Sequence, residues 1–302
     1  MITLGIDTSN YTTSVALYED GKIFHSRKLL PVKENAVGLR QSDAVFLHTK
    51  QFSEVLDGLN LPGKLDFIGV SDRPSSIEGS YMPCFLVGKT VAEAIGKLNF
   101  VKVKYFTHQQ GHIAAGLYSA ERLDLLEQDF LALHLSGGTT ELVLVKKTDS
   151  KPDISYIGGS TDLKAGQAID RVGNMLGLSF PAGKELESLA LRSRTEFKIK
   201  PSVNGLTLSL SGVENKCKKM IDDGSCPEDV AFYCLKYVSA SVCQLTKNAQ
   251  EKFPGLPILF VGGVMSNSII RNDLSFCKNA VFAKPEFSSD NACGVAVLAA
   301  LY

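Results

Sequence analysis

Ile2-Thr3-Leu4-Gly5-Ile6-Asp7-Thr8-Ser9-Asn10-Tyr11-Thr12-Thr13-Ser14-Val15-Ala16-Leu17-Tyr18 is the stretch on which the fold turns, because the chain repeats its pattern after residue 130. An apolar strand runs into a small, hydroxyl-rich turn and a second strand returns. After Glu19-Asp20-Gly21 a third strand follows over Lys22 to Arg27. The second copy reads Phe130-Leu131-Ala132-Leu133-His134-Leu135, then Ser136-Gly137-Gly138-Thr139-Thr140, then Glu141-Leu142-Val143-Leu144-Val145, a polar turn, and Ile154 to Gly158. Turns of this kind offer backbone N–H groups and hydroxyls to a phosphate. Asp20-Gly21 suits the tight turn that feeds a return strand.

Two hairpins with facing phosphate turns are the arrangement by which the actin, sugar-kinase and heat-shock-ATPase superfold (ASKHA) holds a nucleotide between its lobes. The expectation is therefore an α/β protein of that two-lobed, duplicated type, with a nucleotide cleft between the lobes. A chain of 302 residues suffices for two lobes that each bury a core. The charged link from Leu117 to Gln128 marks the candidate boundary. It divides an N-terminal lobe, 1–120, completed by the C-terminal helix 291–302, from a C-terminal lobe, 121–290.

Composition narrows the class. Hydrophobic residues make up 44% of the chain, typical of a globular protein. Lys+Arg equals Asp+Glu, 32 against 32, so no global basic field attracts nucleic acid, and RNA binding would need a local patch or a partner subunit. No apolar run has the length of a membrane span, and Met1-Ile2-Thr3-Leu4 lacks the features of a signal peptide. The seven cysteines (84, 217, 226, 234, 243, 277, 293) are scattered, odd in number and never spaced C-x-x-C. That pattern predicts reduced thiols in a cytoplasmic protein rather than a disulfide frame or a cysteine zinc site, and the lack of an apolar span predicts no membrane partner. Trp is absent, so Tyr, Phe and Arg would have to stack on any base.

Periodicity and punctuation predict helices over Ser42–Leu59, with Ser42-Asp43 as N-cap, and over Leu86–Lys97, Ala165–Leu176, Lys184–Arg194, Pro227–Lys252 and Ala292–Tyr302. Buried strands are predicted over Leu65–Val70, Val101–Phe106 and Pro257–Val261.

Three constellations carry chemistry. His108-Gln109-Gln110-Gly111-His112 follows a strand. In a helix its two imidazoles sit at i and i+4 on one face, within reach of one metal ion, or they cap the strand–helix junction. Asp290, in Ser288-Ser289-Asp290-Asn291, is a candidate third ligand or an N-cap. A metalloprotease of the H-E-x-x-H type needs a Glu general base where this chain has Gln109, which disfavours peptidase chemistry. Ser136-Gly137-Gly138 and Gly262-Gly263-Val264-Met265-Ser266-Asn267 each follow an apolar strand and let a ligand approach the backbone. Asp170, at the polar edge of an apolar helix, is a ribose-binding candidate or a surface ion-pair partner, and Glu187 stands one turn from Gly183.

Together these segments resemble the catalytic subunit of tRNA threonylcarbamoyladenosine synthase, a family long called glycoproteases. The resemblance rests on Gly5-Ile6-Asp7-Thr8-Ser9, Leu86-Val87-Gly88, His108-x-x-x-His112 and Leu135-Ser136-Gly137-Gly138-x-Thr140. It continues through Gly166-x-Ala168-x-Asp170, Leu176-Gly177-Leu178-x-Phe180-Pro181-x-Gly183, Ser209-Leu210-Ser211-Gly212, Gly262-Gly263-Val264-x-x-Asn267-Ser268 and Ser289-Asp290-Asn291. The resemblance implies one divalent ion, iron or zinc, on His108, His112 and Asp290. It implies a nucleotide-like substrate held by Ser136, Gly137, Gly138, Asp170, Gly183, Glu187 and Asn267. The implied reaction moves a threonylcarbamoyl group from an acyl-adenylate to N6 of a tRNA adenosine. Asp7 belongs to the site, and the hydroxyls of Ser9 and Thr12 would contact phosphate rather than act as nucleophiles.

The chain departs from the pattern in three places. Asn10-Tyr11 stands where the family carries acidic residues, Thr139 where it presents a histidine, and Arg73 to Gly79 where it has a glycine-proline loop. These departures predict a divergent paralogue, altered in groups near the acceptor or the reacting carbamoyl while its metal and nucleotide elements persist. Other readings are a catalytically silent, nucleotide-binding scaffold paired with a fold-related protein, a transferase with a non-tRNA acceptor, and a kinase or ATPase using Asp7 and Mg²⁺.

Overall fold

The computed structural model describes residues 1–9, 11–31, 39–287 and 292–302. The chain divides into two compact units: Met1–Gln128 with Lys146–Ile154 and Glu286–Tyr302, and Asp129–Val145 with Ser155–Pro285.

The first unit is built on strands β1 (Ile2–Asp7), β2 (Thr12–Glu19), β3 (Lys22–Leu29), β4 (Phe67–Arg73) and β5 (Lys102–Thr107) in the order β3-β2-β1-β4-β5. β1 pairs antiparallel with β2 and parallel with β4, and β4 pairs parallel with β5. Asp20 and Gly21 both take positive φ, 47° and 85°, which gives the β2–β3 turn the twist that hairpins favour. Helices α1 (Gln41–Asp57) and α2 (Phe85–Asn99) pack on this sheet. So does the C-terminal helix (Cys293–Leu301), which also lies against α3 (His108–Ser119). The last contact is close: a Cβ at Gly294 would fall 1.8 Å from the Gly111 carbonyl oxygen, so only glycine fits there.

The second unit repeats the scheme with β6 (Phe130–Leu135), β7 (Thr140–Lys146), β8 (Asp153–Ser160), β9 (Ser202–Asn204), β10 (Thr207–Ser209), β11 (Ile258–Val261) and β12 (Ala280–Phe282). Its order is β12-β11-β6-β7-β8-β10-β9. Read from β8 to β12 this is the first sheet again, with a small β10–β9 pair added at one edge. β6 is antiparallel to β7 and parallel to β11, as β1 is to β2 and β4. Its helices are α4 (Ala165–Met175), α5 (Gly183–Ala190), α6 (Ser211–Asp222), α7 (Pro227–Lys252) and α8 (Ser268–Asp273). Leu131, Leu133, Ile169, Val172, Leu235, Val238 and Phe260 are among the side chains of its core.

Several element boundaries differ from expectation: β4, expected over Leu65–Val70, runs Phe67–Arg73, and the two helices α1 and α5 differ for local reasons. α1 starts at Gln41 with Arg40 as N-cap and no side-chain cap bond; Asp43 lies within the first turn, where its charge favours the helix N-terminus. α5 stops at Ala190 rather than continuing to Arg194. Ser193 Oγ and Thr195 Oγ1 donate to Asp229 at 2.6 and 2.9 Å, which draws the chain out of the helix. Among the described residues no helix is long and apolar enough to cross a membrane.

Candidate functional site

In the first unit the carboxyl ends of three parallel strands deliver the polar groups. β1 ends at Asp7, β4 passes Ser71 next to it, and β5 ends at Thr107, from which α3 starts. Thr107 and Gln110 form a capping box. Thr107 Oγ1 accepts from the Gln110 N–H at 3.1 Å, and Gln110 Oε1 accepts from the Thr107 N–H at 2.8 Å. Gln110 Nε2 also donates to the Pro152 carbonyl at 2.6 Å. The first helical turn is thereby fixed, and His108 and His112 stack one turn apart with ring centroids 4.3 Å apart.

Their Nε2 atoms lie 2.9 Å from each other. His108 Nδ1 is 2.9 Å from Asp7 Oδ2, and an edge of Phe85 faces its ring. Asp7 is 1% exposed, and its other partners are the Ser71 hydroxyl, donating to Oδ2 at 2.5 Å, and the Ser9 N–H, donating to Oδ1 at 2.8 Å. Burial pushes the Asp7 carboxyl up, but the charge and hydrogen bond of His108 and the bonds from Ser71 and Ser9 outweigh it and hold the group below its ordinary range.

The donor set fits a transition ion. Two imidazole nitrogens converge 2.9 Å apart, and imidazole suits iron and zinc. Among the described residues no group of three or more His, Cys, Asp or Glu is arranged to hold an ion. Asp290, the third ligand expected, lies outside the described residues, as does Asn10. Ser9 is fully buried, with Oγ 3.4 Å from His108 Nε2, and Thr12 is 5% exposed, its N–H closing the turn onto the Ser9 carbonyl. Thr8 Oγ1 donates to the Cys84 carbonyl at 2.9 Å and accepts from the Gly88 N–H at 3.0 Å, tying this turn to α2.

The second unit presents a different surface. Ser136 to Thr139 form the β6–β7 turn, closed by the Ser136 N–H to the Thr139 carbonyl at 2.8 Å and by the Thr139 N–H to Ser136 Oγ at 3.1 Å. Its underside rests on the start of α4: the Gly166 N–H donates to the Ser136 carbonyl at 3.1 Å, and the Ala165 N–H to Thr140 Oγ1 at 2.8 Å. A Cβ at Gly166 would fall 2.6 Å from Gly137 Cα. Gly137 and Gly138 have nothing within 4 Å of the place a Cβ would take, and the same holds for Gly183 and Gly263.

Asp170, Glu187 and Asn267 hold loops. Asp170 Oδ1 accepts from the Ala182 N–H at 2.9 Å, just ahead of Gly183. Burial pushes its carboxyl up, and that hydrogen bond partly offsets the rise. Glu187 Oε1 accepts from both the N–H and the hydroxyl of Ser268, at 2.7 and 2.5 Å, while Asn267 Oδ1 caps the Ile270 N–H at 3.2 Å. Two expected nucleotide residues therefore meet at the Gly263–Ser268 loop, and a third shapes the approach to Gly183. Sequence reading missed Ser71, which carries no local signal, and the Thr107-x-x-Gln110 box, which does.

A family model described as tRNA N6-adenosine threonylcarbamoyltransferase matches residues 50–297. Proteins of that description from Kosmotoga olearia and Nanoarchaeum equitans are 30% and 26% identical to the chain. The alignments cover 99% and 91% of this chain and 92% and 83% of theirs. Among solved structures, a ROK family glucokinase from Streptomyces griseus in complex with glucose and AMPPNP aligns over 100% of both chains, with TM-score 0.54 and 12% identity. A ROK hexokinase from Thermus thermophilus aligns over 100% of this chain and 98% of its own, with TM-score 0.53 and 11% identity. At such identities the structures speak for the fold alone, and the fold is the actin, sugar-kinase and heat-shock-ATPase one.

Proposed function

Since the chain belongs to the tRNA N6-adenosine threonylcarbamoyltransferase family, we propose that it transfers a threonylcarbamoyl group from an acyl-adenylate to N6 of an adenosine in tRNA. The observation that carries this reading is the Asp7–His108–His112 array in a chain matched by the family model over 248 residues, 50–297. In the reaction the adenosine N6 attacks the carbamoyl carbon. A C–N bond forms, the mixed-anhydride C–O bond breaks, AMP leaves, and the N6 proton passes to solvent. An iron or zinc ion held by His108, His112 and Asp290 would supply Lewis-acid stabilisation of the oxygen charge that develops.

The remaining work falls to the chain's own groups. The backbone at Gly137 and Gly138 is open to phosphate oxygens, and the open positions at Gly183 and Gly263 suit the rest of the adenylate. Asp170 and Glu187 keep those loops in place through Ala182 and Ser268. The kinase reading needs Asp7 to address Mg²⁺, yet both its oxygens already accept hydrogen bonds, which weighs against that reading. Partner subunits that bring the tRNA remain part of the proposal, as does a cytoplasmic setting.

One observation supports a second reading, a different acceptor: position 11 carries an exposed tyrosine where the resemblance expects a carboxylate. The test is transfer of labelled threonine from threonylcarbamoyl-adenylate to unmodified tRNA by the purified chain, with and without family partner proteins. Label at the tRNA adenosine supports the primary reading. Hydrolysis of the adenylate without labelled tRNA would move the assignment to another acceptor, and no turnover with intact nucleotide binding would move it to the scaffold.

A further inference from the structure

We propose that Asp7 is a positioning residue that sets the tautomer and aim of His108, an inference that rests on the metal reading of the His108–His112 pair. Anchored by Ser71 and Ser9, its carboxylate holds the His108 Nδ1–H and leaves the Nε2 lone pair directed at His112. The logic is that of donors and acceptors. An ionised carboxylate only accepts, so the 2.9 Å contact with Asp7 Oδ2 requires the proton on His108 Nδ1. A neutral imidazole then carries its lone pair on Nε2, the atom 2.9 Å from His112 Nε2.

Asp7 cannot swing away, because its two oxygens are held from different elements. Ser9 N–H binds Oδ1 from the hairpin turn, and the Ser71 hydroxyl binds Oδ2 from β4. With 1% exposure no water competes for these bonds. The line Ser71–Asp7–His108 thus joins residues 64 and 101 positions apart through the carboxyl ends of adjacent parallel strands. Outer partners of this kind fix the orientation of a metal-binding histidine and raise its basicity. A merely structural buried carboxylate would hold the strands together without governing which imidazole nitrogen is protonated.

Long-range ¹H–¹⁵N spectra of the metal-free full-length protein read the tautomer directly, with His108 assigned from His108→Gln among only five histidines. The expected result is the Nδ1–H form of His108 in the wild type and a mixed population in Asp7→Asn. Zinc affinity, measured by chelator competition, should fall about 10–100-fold in Asp7→Asn and severalfold in Ser71→Ala, which keeps the carboxylate should Asp7→Asn fail to fold. The Nε2–H form in the wild type overturns the proposal, as does zinc affinity unchanged in both variants. Zinc bound by the wild type and equally by the variants is a failure of this inference alone. No zinc bound by the wild type is a failure of the metal reading beneath it, and removes the role of Asp7 with it.

Discussion

The two hairpins share one topology and end in opposite kinds of turn. At the end of β1, Asp7, Thr8 and Ser9 are each at most 1% exposed, and their side chains or N–H groups bond to α2, β4 and α3. At the end of β6, Gly137 and Gly138 are exposed, with nothing within 4 Å of the place a Cβ would take, while the underside of the turn rests on the start of α4. The duplicated scaffold thus keeps its strand order while one copy ends in a packed, hydrogen-bonded turn beside the histidine pair and the other in an exposed glycine turn. Polar side chains filled the first turn because buried polar groups must be paired. Glycines leave the backbone of the second turn uncovered, the condition under which the adenylate proposed above could approach it.

The contrast predicts unlike failures. His108→Ala should cause the largest loss, since it removes a converging nitrogen together with the partner of Asp7. Bound iron or zinc, read by elemental mass spectrometry, should disappear, and transfer should fall by more than the about 10–100-fold typical of outer partners. The adenylate affinity of the second unit should be unchanged. Equal loss of nucleotide binding in this variant would break the division of labour between the two turns.

Gly166→Ala and Gly138→Ala sharpen the second half of the comparison. The first places a methyl 2.6 Å from Gly137 Cα and should destabilise the protein by about 1–3 kcal/mol in denaturant titrations, the range for overpacking. The second meets nothing and lies outside the positive-φ glycines, so stability should hold while affinity for an AMP analogue falls. A stability loss at Gly138 as large as that at Gly166 would mean that the turn is not bare.

How much of this was legible beforehand differs by turn as well. The hairpins, the i, i+4 histidines and the bare Ser136-Gly137-Gly138 turn are local patterns, and periodicity with glycine chemistry exposes them. The wiring of the first turn was not legible, because Ser71 and His108 reach Asp7 only through strand order. Nor was the role of Asp170, Glu187 and Asn267 as holders of backbone N–H groups, since a sequence shows a carboxylate and not its donor. The Thr107–Gln110 box was readable from four consecutive residues, and Thr107→Ala tests it. The cap is worth about 1 kcal/mol, and its loss should lower zinc affinity modestly by loosening the turn that carries His108. Stability reduced with zinc affinity untouched would show that the histidines are held by Asp7 alone.

The smallest expected effect concerns where each copy keeps its charge. Asp7 is sealed, whereas Asp162, just after β8, is an exposed carboxylate that gathers donors from the start of α6. Its Oδ1 accepts from the N–H groups of Leu163 and Leu210 at 2.6 and 2.8 Å, and its Oδ2 from Ser209 Oγ and the Ser211 N–H at 2.5 and 3.1 Å. Burial pushes this carboxyl up, but the bonds from Ser209, Leu210 and Ser211 prevail and hold it far below its ordinary range. The folded state therefore keeps the anion to lower pH than the unfolded chain does. The stability this supplies is complete above about 3.9, the unfolded value, and drains away as the pH falls below it toward the folded value. Discounted for exposure, Asp162→Asn should cost about 1 kcal/mol at pH 7, and the gap from the wild type should close on acidification below pH ~4. A gap constant from pH 7 to pH 3 would assign the loss to geometry instead of charge, and the contrast between a sealed and an exposed carboxylate would then rest on Asp7 alone.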